Sequence, residues 1–513
     1  MSSGLHTSGE HRRNPLVQRF NRLPQALQYS LIYAAALGLS KGLALVMVPV
    51  ATHYLTPADY GRLDVLQTLA DLLSILIGMG LAETLYRYAG SADSAEERKA
   101  AAANIFGMAL CLGAFALILG QLLAGPITRL LPGGINETET RLILFSLALC
   151  GTILVPLAWL RMQNFAWLYL AGTAGRVALQ VAISVLLLTL GFGVTGVLCA
   201  TLISAVLLAA YLIRKQYQDT GIRFDFTRFR SYSIYGGPLI FVGIAGFILG
   251  SFDRWILADS IGTAKMAEYA LAAKFGLITA VLIQPFDLWW HARRFSRLKE
   301  ANGSEACARF ASIGIVIALF AALFITAVGP MLIRLMTPTS YHGAIAYIPW
   351  LAALAAVHNI TATLNFGAMT QRSTWRPAAV DCSAAALALT GYLLLIPLYQ
   401  AWGAIIATSL ALISRCLVTL YISQRILPLP YPLRRLLLLA GISLLFISLM
   451  PQQPLSWSNL AVYPLLFGGF TVAVIISGLI PLSLLPLNLL PVKLKGPLQT
   501  LLQKLSLPVN PGK

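Results

Sequence analysis

Five basic residues stand inside runs of sequence that are otherwise apolar: Lys41, Arg176, Arg254, Lys274 and Arg415. Three acidic residues, Asp71, Asp253 and Asp381, do the same. An ionised side chain at the middle of a bilayer costs about 2.5 to 3.5 kcal/mol even on lenient insertion scales, so each is expected to face a protein interior or a watery cavity. The excess of deep cations over deep anions describes a cavity that attracts anions. No metal-ligand cluster, nucleophile elbow or phosphate-cradling loop accompanies them, so the chemistry on offer is binding rather than bond breaking, with no cofactor and no metal.

Lys41 lies near the midpoint of its apolar run, too deep to reach either interface easily, beside a small-residue ladder of Ala34, Gly38 and Gly42 that permits close helix packing. Pro49 removes a backbone hydrogen bond further along. A lysine paired to a structural carboxylate is the plain alternative to a cavity-facing cation. Arg176 follows Gly172 and Gly175, while Asp253 and Arg254 adjoin near the outer end of the seventh run, and Lys274 enters the outer part of the eighth. Asp381 and Arg415 fit a structural pair as well as a functional one. Asp71 has no opposite charge within one helical turn, which makes it, with Asp253, a candidate for ion coupling. Glu83 and Arg87, four residues apart, share one helical face, and an interfacial ion pair explains them. Asp287 and His291, with Trp289 and Trp290 between, read as an interface belt. His358 and Asn359 read as a buried polar contact without assigned chemistry.

The elements that position these charges must be membrane helices. Hydrophobic residues make up 58% of the 513 and charged residues 11%, whereas a soluble domain needs roughly 25% charged residues to coat its surface. Apolar windows of spanning length fall near Tyr29–Tyr54, Leu63–Tyr88, Ala100–Ala124, Leu142–Leu160, Leu168–Leu190 and Val194–Ile213. A second series follows near Ile234–Ala258, Tyr269–Trp290, Phe310–Leu335, Ala344–Phe366, Ala378–Leu398 and Gly403–Ile422, and two more near Leu436–Met450 and Leu460–Leu482. The expected fold is therefore all-α and polytopic, with about fourteen transmembrane helices. The polar N-terminus leads into a first run too long for a cleaved signal peptide, so that helix is expected to remain. The six cysteines are isolated and read as packing residues.

Net charge is +18, but the basic residues lie between the apolar runs rather than on one soluble face, which excludes nucleic acid as a partner. Of 37 Lys and Arg, 27 fall in the tails and alternate loops on the N-terminal side, and only Arg62, Arg129, Arg141, Lys265 and Arg334 in the opposite loops. Basic residues are retained in the cytoplasm during insertion, so both termini are expected there, in a bacterial inner membrane. Setting Leu63 against Tyr269 pairs Thr56 with Gly262, Glu83 with Trp289 and Arg87 with Arg293, a pattern of two six-helix copies entering the membrane the same way round. The expected division is a tail over 1–27, an N-lobe over 28–213, a basic linker over 214–232, a C-lobe over 233–424, and two helices with a tail over 425–513. Two such halves rocking about a central site make an alternating-access carrier.

Three segments carry a family resemblance. Leu55-Thr56-Pro57-Ala58-Asp59-Tyr60-Gly61 resembles an "LxPxxYG" loop with one extra residue, Gly80-Leu81 with Arg87-Tyr88 resembles the end of the family's second helix, and Ser251-Phe252-Asp253-Arg254-Trp255-Ile256-Leu257 resembles its "DR(F/W)xL" segment. The family is the Wzx-type oligosaccharide flippases, in the superfamily that also holds multidrug exporters and lipid II flippases. The resemblance implies a cationic lumen for an undecaprenyl-pyrophosphate-linked sugar in polysaccharide biosynthesis, a proton or sodium gradient that resets the carrier, a membrane lipid environment, and glycan polymerase and assembly proteins as partners. Many members have twelve helices, and the extra two keep a lipid II flippase in view. A membrane glycosyltransferase or polymerase would use the same lipid carrier, but such enzymes commonly need a large outer loop or acidic motif, and every outer loop here is short. An exporter of cationic drugs would need carboxylates to dominate the cavity.

Overall fold

The computed structural model describes residues 25–371, 375–450 and 457–479. Most of the N-terminal and C-terminal tails expected from the sequence lies outside the described residues. Among the described residues the regular structure is entirely helical. The helices are α1 (Gln25–Tyr54), α2 (Pro57–Gly90), α3 (Ala95–Leu130), α4 (Glu137–Ala148), α5 (Cys150–Met162), α6 (Ala166–Thr189), α7 (Gly193–Thr220), α8 (Phe226–Gly250), α9 (Asp253–Ile261), α10 (Thr263–Leu298), α11 (Gly303–Met336), α12 (Ile348–Leu364), α13 (Trp375–Ile426), α14 (Leu433–Leu449) and α15 (Trp457–Ile476). The end of the bundle holding the α1–α2 turn is called outer below, after the charge bias, and the opposite end inner.

Nine described helices are long and apolar enough to cross a membrane, or eleven if each of two bent pairs counts as one span. One of the nine, α13, is 52 residues long, and Gln400 within it has φ 55°, outside the helical range. Tyr392 and Thr408 hydroxyls meet at 2.9 Å, and a Cβ on Gly403 would lie 2.1 Å from the carbonyl oxygen of Leu395. As one partner number rises from 391 to 395 the other falls from 407 to 403, the register of an antiparallel hairpin. α13 therefore crosses twice, and its turn lies where the sequence separates the eleventh and twelfth windows. The bend of 48° in α8 lies between Ile234 and Leu239, where the chain reads Gly236-Gly237-Pro238. α14 and α15 occupy the last two windows with 17 and 20 residues.

Local chemistry fixes the helix starts. Thr56 caps α2, accepting from the Asp59 amide, with Pro57 at the first helical position. Asn136 and Glu139 form a reciprocal capping box at α4. Among the described residues α2 packs on α8 and α10, joining the first half of the chain, called the N-lobe below, to the second, called the C-lobe. Towards the outer end one apolar core runs through both lobes, uniting Val65, Leu66 and Leu69 with Leu257, Met266 and Phe275. Towards the inner end the cores separate: Phe106 and Trp159 belong to one, Trp290 and Phe366 to another. The lobes are thus closed on each other at the outer end. At the inner end the interlobe approach is carried by a crossing of α2 and α8, where a Cβ on Gly80 would lie 3.0 Å from the Cα of Gly236.

Candidate functional site

The outer closure is built on Asp64 of α2, whose side chain is fully buried. Lys274 Nζ of α10 stands 2.9 Å from its carboxylate, and Arg254 of α9 stands 3.5 Å away. Lys274 also donates to the Tyr60 hydroxyl at 3.0 Å and lies 4.6 Å from the centre of that ring. Neutral contacts surround the cluster. Trp255 donates to the Val65 carbonyl at 3.2 Å, and Tyr341 donates to the Leu55 carbonyl at 2.9 Å while its ring meets that of Tyr60 edge-on. Gly61 is required here, because a Cβ would lie 2.1 Å from the Thr263 carbonyl oxygen of the other lobe.

Two of the five deep cations, Arg254 and Lys274, are therefore not free in this structure: one carboxylate from the opposite lobe holds both. Asp71, two turns further along α2, interacts electrostatically with the same two cations. Asp253 accepts a hydrogen bond from the Tyr269 hydroxyl. Arg415 reaches Asp381 at 2.7 Å and His358 Nδ1 at 3.2 Å, so the pair read from the sequence as structural or functional is formed, with a histidine added. Glu83 and Arg87 are both exposed towards the inner end of α2.

Lys41 and Arg176 differ from the other three. Neither has a carboxylate within ion-pair distance among the described residues. Their helices pack on each other, and chain order makes α1 and α6 parallel. Tyr33 and Tyr169 meet edge-on with centroids 5.3 Å apart. From that contact Lys41 lies eight residues along α1 and Arg176 seven along α6. At 1.5 Å per residue both stand about 11 to 12 Å deeper, at matching depth. Positions Gly38, Gly42 and Gly175 border open space. Lys41 is exposed, while Arg176 is partly buried, with a buried Nε that lacks a hydrogen-bond partner, and interacts with Cys150 of α5.

A second space lies inside the C-lobe, a cavity of about 190 Å³ lined by Asp253, Arg254, Tyr269, His358, Asn359 and Thr408 among apolar residues. The sequence reads His358 and Asn359 as a buried polar contact without assigned chemistry, and the structure places them on this cavity. Asp64 was missed. Its signal is the seven-residue spacing to Asp71, which puts both carboxylates on one face of α2. No group of three or more candidate metal ligands occurs among the described residues.

Fold and hydropathy define a multi-pass membrane protein. Residues 26–286 match the polysaccharide biosynthesis protein family, and the chain belongs to it. A Shigella flexneri protein whose name assigns it to O-antigen transport is 28% identical over 188 residues, covering 34% of this chain and 43% of that one. The succinoglycan biosynthesis transport protein ExoT of Rhizobium meliloti (strain 1021) is 26% identical over 247 residues, covering 46% and 47%. The chain thus spans less than half the length of either relative. The lipid II flippase MurJ in its inward closed conformation shares the fold, with TM-score 0.69 at 12% identity over 87% of this chain and 98% of that one. These findings bear out the resemblance to Wzx-type flippases.

Proposed function

We infer that this protein is a flippase that carries an undecaprenyl-pyrophosphate-linked oligosaccharide from the cytoplasmic to the periplasmic leaflet by alternating access, and is not an enzyme. The observation that carries the reading is the pair Lys41 and Arg176, two cations without a counter-ion among the described residues, at one depth in the N-lobe and inward of a closed outer seal. A pyrophosphate brings at least two negative charges out of water, and the two cations offset part of that loss. Because Lys41 is exposed and Arg176 only partly buried, the net attraction is modest, which suits a carrier that must release its cargo. Arg254 and Lys274 take a different part: bound to Asp64 they close the exit, so the C-lobe contributes the seal rather than a hand on the headgroup.

Lipid II also presents a pyrophosphate on a polyprenyl chain, and the two additional helices α14 and α15 with the MurJ-like fold support it as the second reading. Reconstituted vesicles supplied with fluorescent polyprenyl-pyrophosphate oligosaccharide, lipid II or a cationic dye separate the cases. Lys41→Gln with Arg176→Gln is expected to lower flipping about tenfold or more, the equivalent of losing one charge-assisted contact of ~1.5 kcal/mol. Wild-type flipping by the double variant refutes the anion site, and transport of dye without lipid-linked sugar establishes an exporter.

A further inference from the structure

Arg254 and Asp253 are adjacent, both are 6% exposed, and each is incompletely satisfied: Arg254 Nε lacks an acceptor and Asp253 Oδ1 lacks a donor. Buried polar groups of native proteins nearly always find partners, so a complementary donor and acceptor left open on neighbouring residues point to a second arrangement in which they meet. In the arrangement seen, the guanidinium is drawn across the lobe boundary to Asp64 at 3.5 Å, a long contact already shared with Lys274 at 2.9 Å. Both groups border the C-lobe cavity, which gives the guanidinium room to turn and gives solvent a way to Asp253.

We propose that Asp253 is a proton-binding site that governs the outer seal by competing with Asp64 for Arg254. With Asp253 protonated, the neutral acid keeps its hydrogen bond with Tyr269, and Arg254 stays on Asp64 with the lobes closed. When the proton leaves to solvent entering the cavity, the carboxylate draws the guanidinium back into the C-lobe, and Asp64 retains Lys274 alone. Loss of a proton inside the C-lobe thereby loosens a contact between lobes. The groups acting on Asp253 from the surrounding elements are Asp64 on α2, Arg254 on α9, Tyr269 on α10 and Tyr392 on α13, and His358 on α12 lines the same cavity. His358 is tied to Arg415, which places a second titratable group on the same cavity but away from the seal. The proposal rests on the carrier reading and names its coupling ion as a proton.

The test reads the seal directly and needs no substrate, so it fails or succeeds separately from the anion site. Spin labels at Leu130→Cys and Leu335→Cys, exposed outer ends of α3 and α11, are placed in protein whose exposed Cys111 and Cys382 are changed to Ser. Distance distributions are recorded in nanodiscs from about pH 5 to pH 9, a range that covers carboxylates shifted by burial. Wild type is expected to gain a longer-distance population as pH rises. Asp253→Asn, fixed in the neutral form, is expected to stay at the short distance throughout, while His358→Gln keeps the wild-type response. A pH response unchanged in Asp253→Asn overturns the proposal, as does one lost in His358→Gln but kept in Asp253→Asn. The short-distance population of Asp253→Asn also reports that the variant is folded.

Discussion

Replacing Asp64 by Asn removes the counter-ion of two cations while leaving the side-chain volume nearly unchanged. At an effective dielectric constant of about 20, each contact at 2.9 and 3.5 Å corresponds to roughly 5 kcal/mol of gross attraction. Desolvation of the three groups cancels most of it, and breaking a buried pair by removing one partner costs about 3 to 5 kcal/mol. Lys274 is 35% exposed and so keeps part of its hydration, which brings the expected destabilisation of the outer-closed state down to ~2 to 4 kcal/mol. Thr263, 9% exposed and packed on Gly61 across the boundary, reports opening when changed to Cys and probed with a membrane-impermeant maleimide. Labelling should rise about 30- to 700-fold in Asp64→Asn, at 1.4 kcal/mol per factor of ten, until the open state dominates. Adding Lys274→Gln to Asp64→Asn should recover part of that rise, because one uncompensated cation is removed with its partner. Labelling of Asp64→Asn within threefold of the parent, in protein of normal yield, refutes the ion cluster as the seal.

Three further outcomes follow from particular contacts. Gly61→Ala places a methyl group against the Thr263 carbonyl and is expected to open the outer end by about 1 to 3 kcal/mol, raising the same labelling without touching any charge. Arg415→Gln leaves Asp381 without its 2.7 Å partner and should lower the thermal unfolding temperature in detergent, whereas Asp381→Asn with Arg415→Gln together should restore most of it; a loss in the double variant equal to the sum of the two single losses would show the pair to be uncoupled. Reporter fusions at the chain ends, in the 214–230 linker and in the 293–309 loop are expected to give cytoplasmic signals, following the partition of basic residues, and a periplasmic signal at the linker would break the six-plus-six arrangement.

The all-helical, polytopic class was legible because hydropathy alone decides it, and the helices fall near the windows read from the sequence. The boundaries were not. Hydropathy trims polar turns, so the second window begins at Leu63, whereas the Thr56 cap and Pro57 start α2 six residues earlier. That displacement hid Asp64: placed one residue from a helix end it reads as an interfacial acid, but with α2 starting at Pro57 it stands in the third turn and faces the opposite lobe. The seventh window, Ile234–Ala258, runs through a real break, since the chain leaves helical geometry at Ser251 (φ −146°) and restarts at α9. An apolar count cannot register that break, yet it is what turns Asp253 and Arg254 into neighbours on a short helix end with one facing Tyr269 and the other Asp64.

The charges show the same division between what composition contains and what only packing decides. Counting deep cations against deep anions gives a positive interior, and that count treats every charge as available. Packing divides the set. Arg254 and Lys274 are neutralised across the lobe boundary, Arg415 is neutralised within the C-lobe, and Lys41 and Arg176 in the N-lobe are left without a paired carboxylate among the described residues. The division has a physical use that an undivided positive lumen would lack. Cations gathered around one headgroup would bind it with little to drive release, because nothing in the site would change between one face and the other. Cations tied to a carboxylate of the opposite lobe make the pairing depend on how the lobes sit: in the proposed cycle Arg254 passes to Asp253 as the outer end loosens and returns to Asp64 as it closes. The distance from Asp64 to its two cations is thus the quantity to follow through the transport cycle, more than the number of positive charges in the membrane.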